Sequence, residues 1–410
     1  MDIKSTYQYT YFIHPFVIEN GKYKKYIKKL LSDKKCNLKI FKKENEYDIY
    51  KYFSENIKKY MFNTFGSTKN KIKKLQELPI QTQSAIISEY PCAIFEYTVK
   101  KAIQGMTEES NGIFFQLHKF EIVCFNTGIC FLSFKSNVDN SNCFADVLDF
   151  NYKFKDIKDQ DSNLNRYDNI RLQNDEFSMV KRFSDFIYDI TGSNIEGLKL
   201  DLDTDKFLTY TYVCIDQKDW NQNRNFESIK ENFIRFSNIL PADNMVELED
   251  NIETISKWKY AKIGITKQGV SLFSSTADIN NYCILPTNYE NQYLYTYILN
   301  LHIKIYLKQI GMEMKSPIKD IKKKARKKFE EFTKNIWIKE TSDDEIGTML
   351  DLKYKQVLGT NKLYNRIKDE YDIIYKEMKI EKNEKMTIVI GIILIITMVF
   401  NILNYMKLME

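Results

Sequence analysis

Residues 386–406 form the stretch MTIVIGIILIITMVFNILNYM, which contains no ionisable side chain other than a tyrosine phenol. A helix of about 21 residues spans roughly 30 Å at 1.5 Å per residue, which is the thickness of the hydrocarbon core of a bilayer. A surface helix of a soluble domain keeps one polar face toward water, and the continuous apolarity here leaves no such face. The stretch therefore predicts one transmembrane helix.

The charges around this stretch predict its orientation. Lysines precede it at Lys376, Lys379, Lys382 and Lys385, whereas Lys407 alone follows it. Positive side chains are retained on the cytoplasmic side of a membrane. The N-terminal sequence MDIKSTYQYT also lacks the apolar core of a signal peptide. We therefore expect a single-pass protein of the cell membrane whose N-terminal domain is cytoplasmic.

The apolar helix is not uniform around its axis. At 100° per residue, six residues fall within a stripe about 80° wide. They are Thr387, Gly391, Leu394, Met398, Asn401 and Tyr405. An asparagine is costly in lipid unless it faces a partner helix or a water-filled cavity. The stripe is thus predicted to be either an interface between helices of a homo-oligomer, which its composition favours, or the lining of a pore.

A stalk helix is predicted before the membrane, over residues 341–385. Apolar or aromatic residues recur at every seventh position, namely Leu350, Val357, Tyr364, Tyr371 and Met378. Ile367 and Ile374 fill the intermediate positions of the same seam. This period is typical of a coiled coil. Residues 289–340 are predicted to form a helical connector, in which a helix over Asn291–Gly311 ends at its glycine and the basic segment Lys319–Lys328 follows.

Residues 1–288 alternate between strand and helix patterns. Strands are predicted at 5–18, 37–41 and 199–215, hairpins at 113–134 and 259–273, and helices at 23–31, 44–60, 176–190 and 226–239. The first hairpin is predicted to turn at Asn126-Thr127-Gly128 and the second at Lys267-Gln268-Gly269. The mixture predicts an α+β or mixed α/β sheet domain, and a polar segment near 156–174 is a candidate break between two lobes.

Composition narrows the classes of function. The chain has 61 basic and 55 acidic residues, a formal net charge of +6, and its basic residues are dispersed, so direct binding to nucleic acid is not expected. The seven cysteines are odd in number and irregularly spaced, and no C-x-x-C pair occurs. This pattern favours reduced thiols over a disulfide framework or a zinc ribbon.

No residue pattern predicts catalysis, a cofactor or a resident metal. The chain contains no P-loop, dinucleotide-binding, zinc-protease or nucleophile-elbow motif. His14, His118 and His302 are isolated in the sequence, and such histidines are more often packed than ligands or bases. Asp201, Asp203 and Asp205 would share one face of a strand and could hold a divalent ion, but a strand-to-turn transition explains them better.

Two groups of basic residues are candidate anion sites. The run Lys322–Lys328 could attract anionic lipid headgroups or a phosphate ligand, although a solvated helix face is the favoured interpretation. Four arginines could pair with a nucleotide phosphate, but their spacing selects none of them: Arg166, Arg171, Arg182 and Arg235.

The segment Tyr293–Leu307, YLYTYILNLHIKIYL, resembles the aromatic-rich helix with a Leu-His-x-(Lys/Arg) centre of CorA-like membrane proteins. The layout from Phe329 to Phe400, a long helix that continues into the membrane, is also similar to that family. The resemblance covers about the last 120 residues well. It implies a cytoplasmic α/β domain, a pore-forming helix and pentameric assembly.

The sequence also departs from that family. CorA-type magnesium channels carry a Gly-Met-Asn motif and then a second membrane helix, whereas this sequence has NILNYM at 401–406 and neither feature. Magnesium selectivity through the motif is therefore not implied. Divergent CorA-like proteins encoded beside type III CRISPR systems are membrane effectors triggered by a nucleotide second messenger, and the resemblance implies such an antiviral role.

Three functions remain open at this point. The leading hypothesis is a homo-oligomeric membrane effector or channel, gated by a ligand such as a nucleotide bound to the cytoplasmic domain. The second is a membrane-tethered interaction protein without a pore. The third is a transporter of divalent metal ions such as magnesium. Lipid and further copies of the chain are the expected partners.

Overall fold

The computed structural model describes residues 3–19, 21–66, 69–106, 112–138, 143–155, 171–175, 179–191, 195–196, 206–218, 220, 226–243, 251–337 and 340–409. The chain divides into two compact units. The sheet unit comprises Met1–Tyr306 and Thr333–Thr360, and the helical unit comprises Leu307–Phe332 and Asn361–Glu410.

The sheet unit is built on one mixed sheet. Its described strands are β1 (Ser5–Ile18), β2 (Cys36–Leu38), β3 (Cys92–Tyr97), β4 (Ile103–Met106), β5 (Phe114–Phe125), β6 (Ile129–Val138), β7 (Arg171–Gln173), β8 (Lys181–Arg182), β9 (Ile195–Glu196), β10 (Leu208–Ile215), β11 (Glu253–Trp258), β12 (Ala261–Ile265) and β13 (Gly269–Ser275). The order is β11-β12-β13-β10-β1-β6-β5-β4-β7-β8, while β3 pairs with β5 and β2, and β9 with β1. β10 and β13 are parallel to each other, and their neighbours are antiparallel. The mixed α/β sheet predicted for the N-terminal domain is confirmed.

The predicted strand over residues 5–18 is confirmed, and it lies at the centre of the sheet although it contains Pro15. A proline lacks the N–H group that a strand needs for pairing on one side. β10 pairs with β1 only as far as Ile13, whereas β6 pairs with β1 through Val17. Pro15 therefore falls where the β10 ladder has already ended.

Both predicted hairpins are confirmed. β5 and β6 are joined at Asn126–Gly128, where Gly128 has φ +86°, a conformation that glycine adopts without strain. β12 and β13 pair with Ile265 opposite Val270. Turn chemistry alone identifies these pairs because so few residues separate the strands.

Helices cover both faces of the sheet. They are α1 (Tyr23–Ser32), α2 (Tyr47–Tyr52), α3 (Glu55–Met61), α4 (Lys69–Glu77), α5 (Ile80–Ile87), α6 (Phe144–Phe154), α7 (Phe183–Thr191), α8 (Lys230–Ser237), α9 (Ile284–Asn288), α10 (Leu294–Met314) and α12 (Glu345–Val357). Only the part of α10 up to Tyr306 belongs to the sheet unit. Phenylalanines such as Phe12 and Phe154 fill one face. Tyrosines fill the other, where Tyr210 stacks on Tyr289 with ring centroids 4.1 Å apart. Alternate side chains of a strand point to opposite faces, which separates the two layers.

The helix predicted over residues 44–60 is instead two helices, α2 and α3. They are separated at Phe53–Ser54, where another part of the chain takes up the backbone groups. Phe53 forms a β-bridge with Ser342, and the Ser54 N–H donates to the Thr341 carbonyl at 3.2 Å. A contact so distant in sequence leaves no trace in helical periodicity.

Several other predicted segments include residues outside the described ranges. The predicted helix 176–190 begins at Phe183, after the short strand β8, and residues 176–178 lie outside the described part. The strand predicted at 199–215 is described from Leu208, so Asp201, Asp203 and Asp205 are outside as well. Of the candidate break near 156–174, residues 156–170 are likewise outside, and residues 171–173 form β7 of the same sheet.

The helical unit contains the end of α10, α11 (Lys319–Phe332) and most of α13 (Thr360–Met409). The prediction that a helix ends at Gly311 is wrong, because α10 continues to Met314. A Cβ at Gly311 would lie 3.4 Å from the Ile367 side chain. The glycine is thus at a contact between α10 and α13 rather than at a helix end.

The predicted stalk helix over 341–385 is interrupted. α12 and α13 are separate because Gly359 takes φ +67°, the left-handed conformation that commonly terminates a helix. Leu350 and Val357 therefore lie in α12, while Tyr364, Tyr371 and Met378 lie in α13. There the Phe329 ring of α11 is 5.3 Å from that of Tyr364 and 5.4 Å from that of Tyr371. The chain's own α11 packs on the predicted seam, and a coiled coil between chains stays a prediction.

Candidate functional site

The predicted transmembrane stretch lies within the continuous helix α13. In the part of the chain that the structure describes, α13 is the one helix long and apolar enough to cross a membrane. Its apolar side chains are exposed between Met386 and Phe400, with Ile388 61% and Phe400 64% exposed. Covering a side chain of this kind is worth about 1.5–3 kcal/mol. Apolar surroundings would therefore stabilise this segment.

The predicted stripe is placed along this exposed part of α13. The structure describes the side chains of five of its members: Thr387, Gly391, Leu394, Met398 and Asn401. Tyr405 belongs to α13, and its side chain lies outside the described part. A Cβ at Gly391 would meet nothing within 4 Å. The Thr387 hydroxyl donates to the Asn383 carbonyl at 2.9 Å, so its polar group is satisfied within its own helix. The stripe is open to another helix or to lipid.

A second candidate site, a polar cleft in the sheet unit, was not predicted. The cleft has a volume of about 700 Å³. It lies between the first residues of β1, the middle of β5 and the end of β6. The lining residues used below are Tyr7, Tyr9, His118, Lys119, Lys135, Asn137 and Glu290.

A β-bulge in β5 gives the cleft two adjacent polar side chains. The pairing of β5 with β6 shifts between His118 and Phe120, and the extra residue Lys119 has φ +29°, which is uncommon for a residue with a side chain. Leu117 and Phe120, on either side, are both buried in the phenylalanine layer. The bulge therefore turns His118 and Lys119 together toward the opposite face, as bulges at functional sites commonly do. Two consecutive polar residues in an alternating strand were the sequence signal for it.

Glu290 holds the two lysines of the cleft. One carboxylate oxygen of Glu290 accepts from Lys135 Nζ at 2.7 Å, and the other accepts from Lys119 Nζ at 3.1 Å. The Tyr11 hydroxyl also donates to Glu290, at 2.5 Å. Burial acts to raise the pKa of Glu290, but the two ammonium groups and these hydrogen bonds outweigh it and hold the pKa at about 2. Glu290 is therefore a fixed anion, unsuited to act as a base.

A second buried carboxylate lies deeper, next to Lys119. Glu121 Oε1 is 2.6 Å from Lys39 Nζ and 3.8 Å from Lys119 Nζ. The Tyr295 hydroxyl donates to Glu121 Oε2 at 3.0 Å. Burial acts to raise the pKa of Glu121, but Lys39 and Lys119 reverse the effect and lower it. Burial acts to lower the pKa of Lys39, and Tyr295 and Glu121 raise it overall. Lys119 thus lies between two ionised carboxylates.

The arrangement is suited to binding an anion. The side chains of Lys119 and Lys135 remain 31% and 21% exposed, so their ammonium groups have access to a ligand. Lys135 Nζ lies 4.2 Å from the centre of the Tyr9 ring, a cation–π contact that orients it. The Tyr7 ring is 38% exposed at the cleft. Within the described ranges no group of His, Cys, Asp or Glu side chains could hold a metal ion.

The three histidines fall in three different places. His14 is buried, with its ring near that of Phe207. His118 contacts the Asn137 side-chain oxygen in the cleft. His302, in α10, is buried and stacks on Phe125 with ring centroids 3.8 Å apart. Burial lowers the pKa of His302 to about 3.

Of the basic residues singled out in the sequence, Arg171 and Arg182 are brought together as paired strand positions, and the other described ones lie in separate helices. The backbone of Arg171 pairs with that of Arg182 between β7 and β8, the Arg235 side chain pairs with Glu231 in α8, and Arg166 lies outside the described part. The run Lys322–Lys328 belongs to α11, which buries Ala325 and exposes Lys323, Lys324 and Lys327. None of the seven cysteines, all in described segments, forms a disulfide.

Comparison with known proteins adds no relative. No protein-family model, no curated protein and no solved structure matches this chain.

Proposed function

We propose that this protein is a homo-oligomeric, single-pass membrane effector or channel of the CorA-like type, gated by a ligand that binds the sheet unit. One observation carries the proposal: the apolar segment of α13 is as long as a bilayer is thick, and its described side chains, as far as Asn401, are exposed around the helix. Monomeric soluble proteins rarely expose an apolar patch of that size. Insertion in lipid removes this surface from water.

The proposed orientation has the sheet unit in the cytoplasm. Lysines at Lys376, Lys379 and Lys385 flank the start of the apolar segment, and lysines are retained on that side of a membrane. The reduced thiols expected of the sheet unit suit the same compartment.

Self-association is proposed to occur along the stripe of α13. Gly391 allows close approach of a second helix, and an asparagine amide such as that of Asn401 is favoured in a membrane when another helix or water supplies a hydrogen-bonding partner. In a ring of helices the same stripe would line a pore. The CorA-like resemblance of Tyr293–Leu307 supports a pentamer and a nucleotide second messenger in antiviral defence.

Gating requires that the ligand prefer one arrangement of the protein over another. The cleft supplies a starting point, because Glu290 belongs to the π-helical turn Tyr289–Tyr293 that leads directly into α10. A ligand that alters the contacts of Glu290 would alter the start of this helix.

Ion flux from liposomes that contain the full-length protein tests the proposal. Asn401→Leu should change the flux, because it removes the polar group of the stripe, whereas Ile396→Leu on the opposite side of α13 should not. Equal flux in both variants and the wild type would count against a pore. Full extraction of the protein by alkaline carbonate would overturn membrane insertion itself.

A tethered binding protein without a pore is the second candidate. It is favoured by the hydroxyls of Thr387 and Thr397, which donate to carbonyls of their own helix at 2.9 and 2.8 Å and so do not require water. A tether predicts stable membrane association and no flux with or without ligand.

A further inference from the structure

Lys119 and Lys135 form a two-cation site that the protein's own carboxylate already occupies. Glu290 bridges them with one oxygen on each ammonium group. Both lysines also face the cleft, so a second anion can approach them from outside. A side chain that occupies such a site is in competition with any anion of higher charge.

We propose that the cleft binds a small phosphorylated ligand with a planar ring, whose phosphate replaces the Glu290 carboxylate on Lys119 and Lys135. A phosphate monoester carries about −1.5 to −2 charges at pH 7 and three acceptor oxygens, compared with one charge on a carboxylate. The partly exposed Tyr7 ring supplies a stacking surface at the same cleft. This inference deepens the proposed function, since it names the ligand class and the site of the ligand-gated step.

The backbone supports a binding role for Lys119. Its φ of +29° is sterically costly for a residue with a side chain, and such conformations concentrate at ligand sites. Without the bulge, strict alternation from Leu117 would point Lys119 into the phenylalanine layer. The strained backbone at Lys119 therefore brings a second cation to the cleft beside Lys135.

Displacement of Glu290 connects the cleft to a helix. Once the ligand holds the lysines, the Tyr11 hydroxyl still donates to the Glu290 carboxylate. Glu290 is 18% exposed and lies in the π-helical turn before α10, so its loss of two cations favours movement of this turn toward water. The ligand signal would therefore leave the cleft through the beginning of α10.

Calorimetric titration of the full-length protein in detergent tests the inference with three probes: inorganic phosphate, AMP and adenosine. The wild type should bind AMP more tightly than phosphate, and adenosine least. Lys119→Ala and Lys135→Ala should each weaken AMP binding by about tenfold or more, the cost of a lost charge-assisted contact. Lys101→Ala is the matched control, because Lys101 pairs with Asp175 at 2.5 Å on the surface outside the cleft.

Glu290→Gln should change the affinity for AMP in the opposite direction from the lysine variants. Removal of the competing anion should strengthen binding of AMP and phosphate, while a purely structural role for Glu290 would weaken it. Lys135→Arg keeps the charge and should retain binding, which separates a folding defect from a lost contact.

Two results overturn the inference: no saturable binding of phosphate or AMP by the wild type, or AMP affinity in the lysine variants equal to that of the Lys101→Ala control. Weaker binding by Glu290→Gln overturns the displacement step. Binding of AMP without ion flux would contradict the channel function and leave the proposed site standing. Ion flux without binding of AMP would contradict the site and leave the channel function standing.

Discussion

The ammonium group of Lys39 lies 2.6 Å from a carboxylate oxygen of Glu121, whose side chain is 1% exposed. Lys39 follows the short strand β2, and Glu121 belongs to the long strand β5, so the pair joins parts of the chain 82 residues apart. The Tyr295 hydroxyl of α10 donates to the same carboxylate. One buried ion pair thus connects the sheet to the helix that covers its tyrosine-rich face.

Removal of one partner of this pair should destabilise the sheet unit. Glu121→Leu or Lys39→Met alone removes the nearest counterion of a buried charge and should cost about 1.5–3 kcal/mol. Each remaining charge keeps a second partner, since Lys39 is 3.1 Å from Glu96 and Glu121 is 3.8 Å from Lys119. The double variant should lose much less than the sum of the two, because no charge is left unpaired. Urea unfolding of the four proteins measures the coupling, and strict additivity would show that the pair is not energetically coupled.

His302 should make the protein sensitive to mild acid. Burial lowers its pKa to about 3 in the folded protein, whereas an unfolded histidine titrates near its ordinary value of about 6.5. Between these values only the unfolded state binds the proton. Buried His302 therefore costs no free energy of unfolding above pH 6.5, and the free energy of unfolding declines as the pH falls from 6.5 toward 3. The slope reaches about 1.4 kcal/mol per pH unit, or about 2 kcal/mol by pH 5.

His302→Phe keeps a ring against Phe125 and removes the titrating group. The variant should therefore lose less stability than the wild type between pH 7 and pH 5, when thermal unfolding is followed in detergent. An equal loss in both proteins would mean that other groups govern the acid sensitivity.

Two glycines should respond in opposite directions to the same substitution. Gly269→Ala places a Cβ 1.9 Å from the Thr209 carbonyl oxygen, where β10 and β13 pair, and should be strongly destabilising. Gly311→Ala places a Cβ at contact distance from Ile367 within α10, so the higher helix propensity of alanine should stabilise the protein by up to about 1 kcal/mol. Melting temperatures compare the two variants, and a loss at Gly311 would mean that α10 and α13 pack more closely there.

Gly391 should control the oligomeric state if the stripe is an interface. Gly391→Leu adds a side chain where two helices would approach, so it should lower the subunit number or the stability of the oligomer. Ile396→Leu lies on the opposite side of α13 and is the control. Native mass spectrometry in detergent measures the result, and an unchanged oligomer in Gly391→Leu would place the interface elsewhere.

Local signals were sufficient for the elements that depend on local energetics. Gly128 identifies the β5–β6 turn because the required backbone conformation favours glycine over other residues. The apolar stretch after Lys385 identifies the exposed part of α13, because length and composition alone determine whether a helix suits a bilayer.

Other features depended on partners that are distant in the chain. The break between α2 and α3 follows from pairing of Phe53 with Ser342, and the heptad seam of α13 is covered by Phe329 of the chain's own α11. A heptad pattern states which face of a helix is buried, and it does not state which helix buries it.

The sequence by itself determined that this chain carries an α/β sheet domain and one helix apolar enough for a membrane, because periodicity and apolar length are properties of consecutive residues. The tertiary structure alone decided where the charges meet. Glu290 reaches Lys119 and Lys135 across more than 150 residues of chain, and the bulge at Lys119 becomes visible only in the register of β5 against β6. Such a site is created by the pairing of distant segments, and no single segment encodes it.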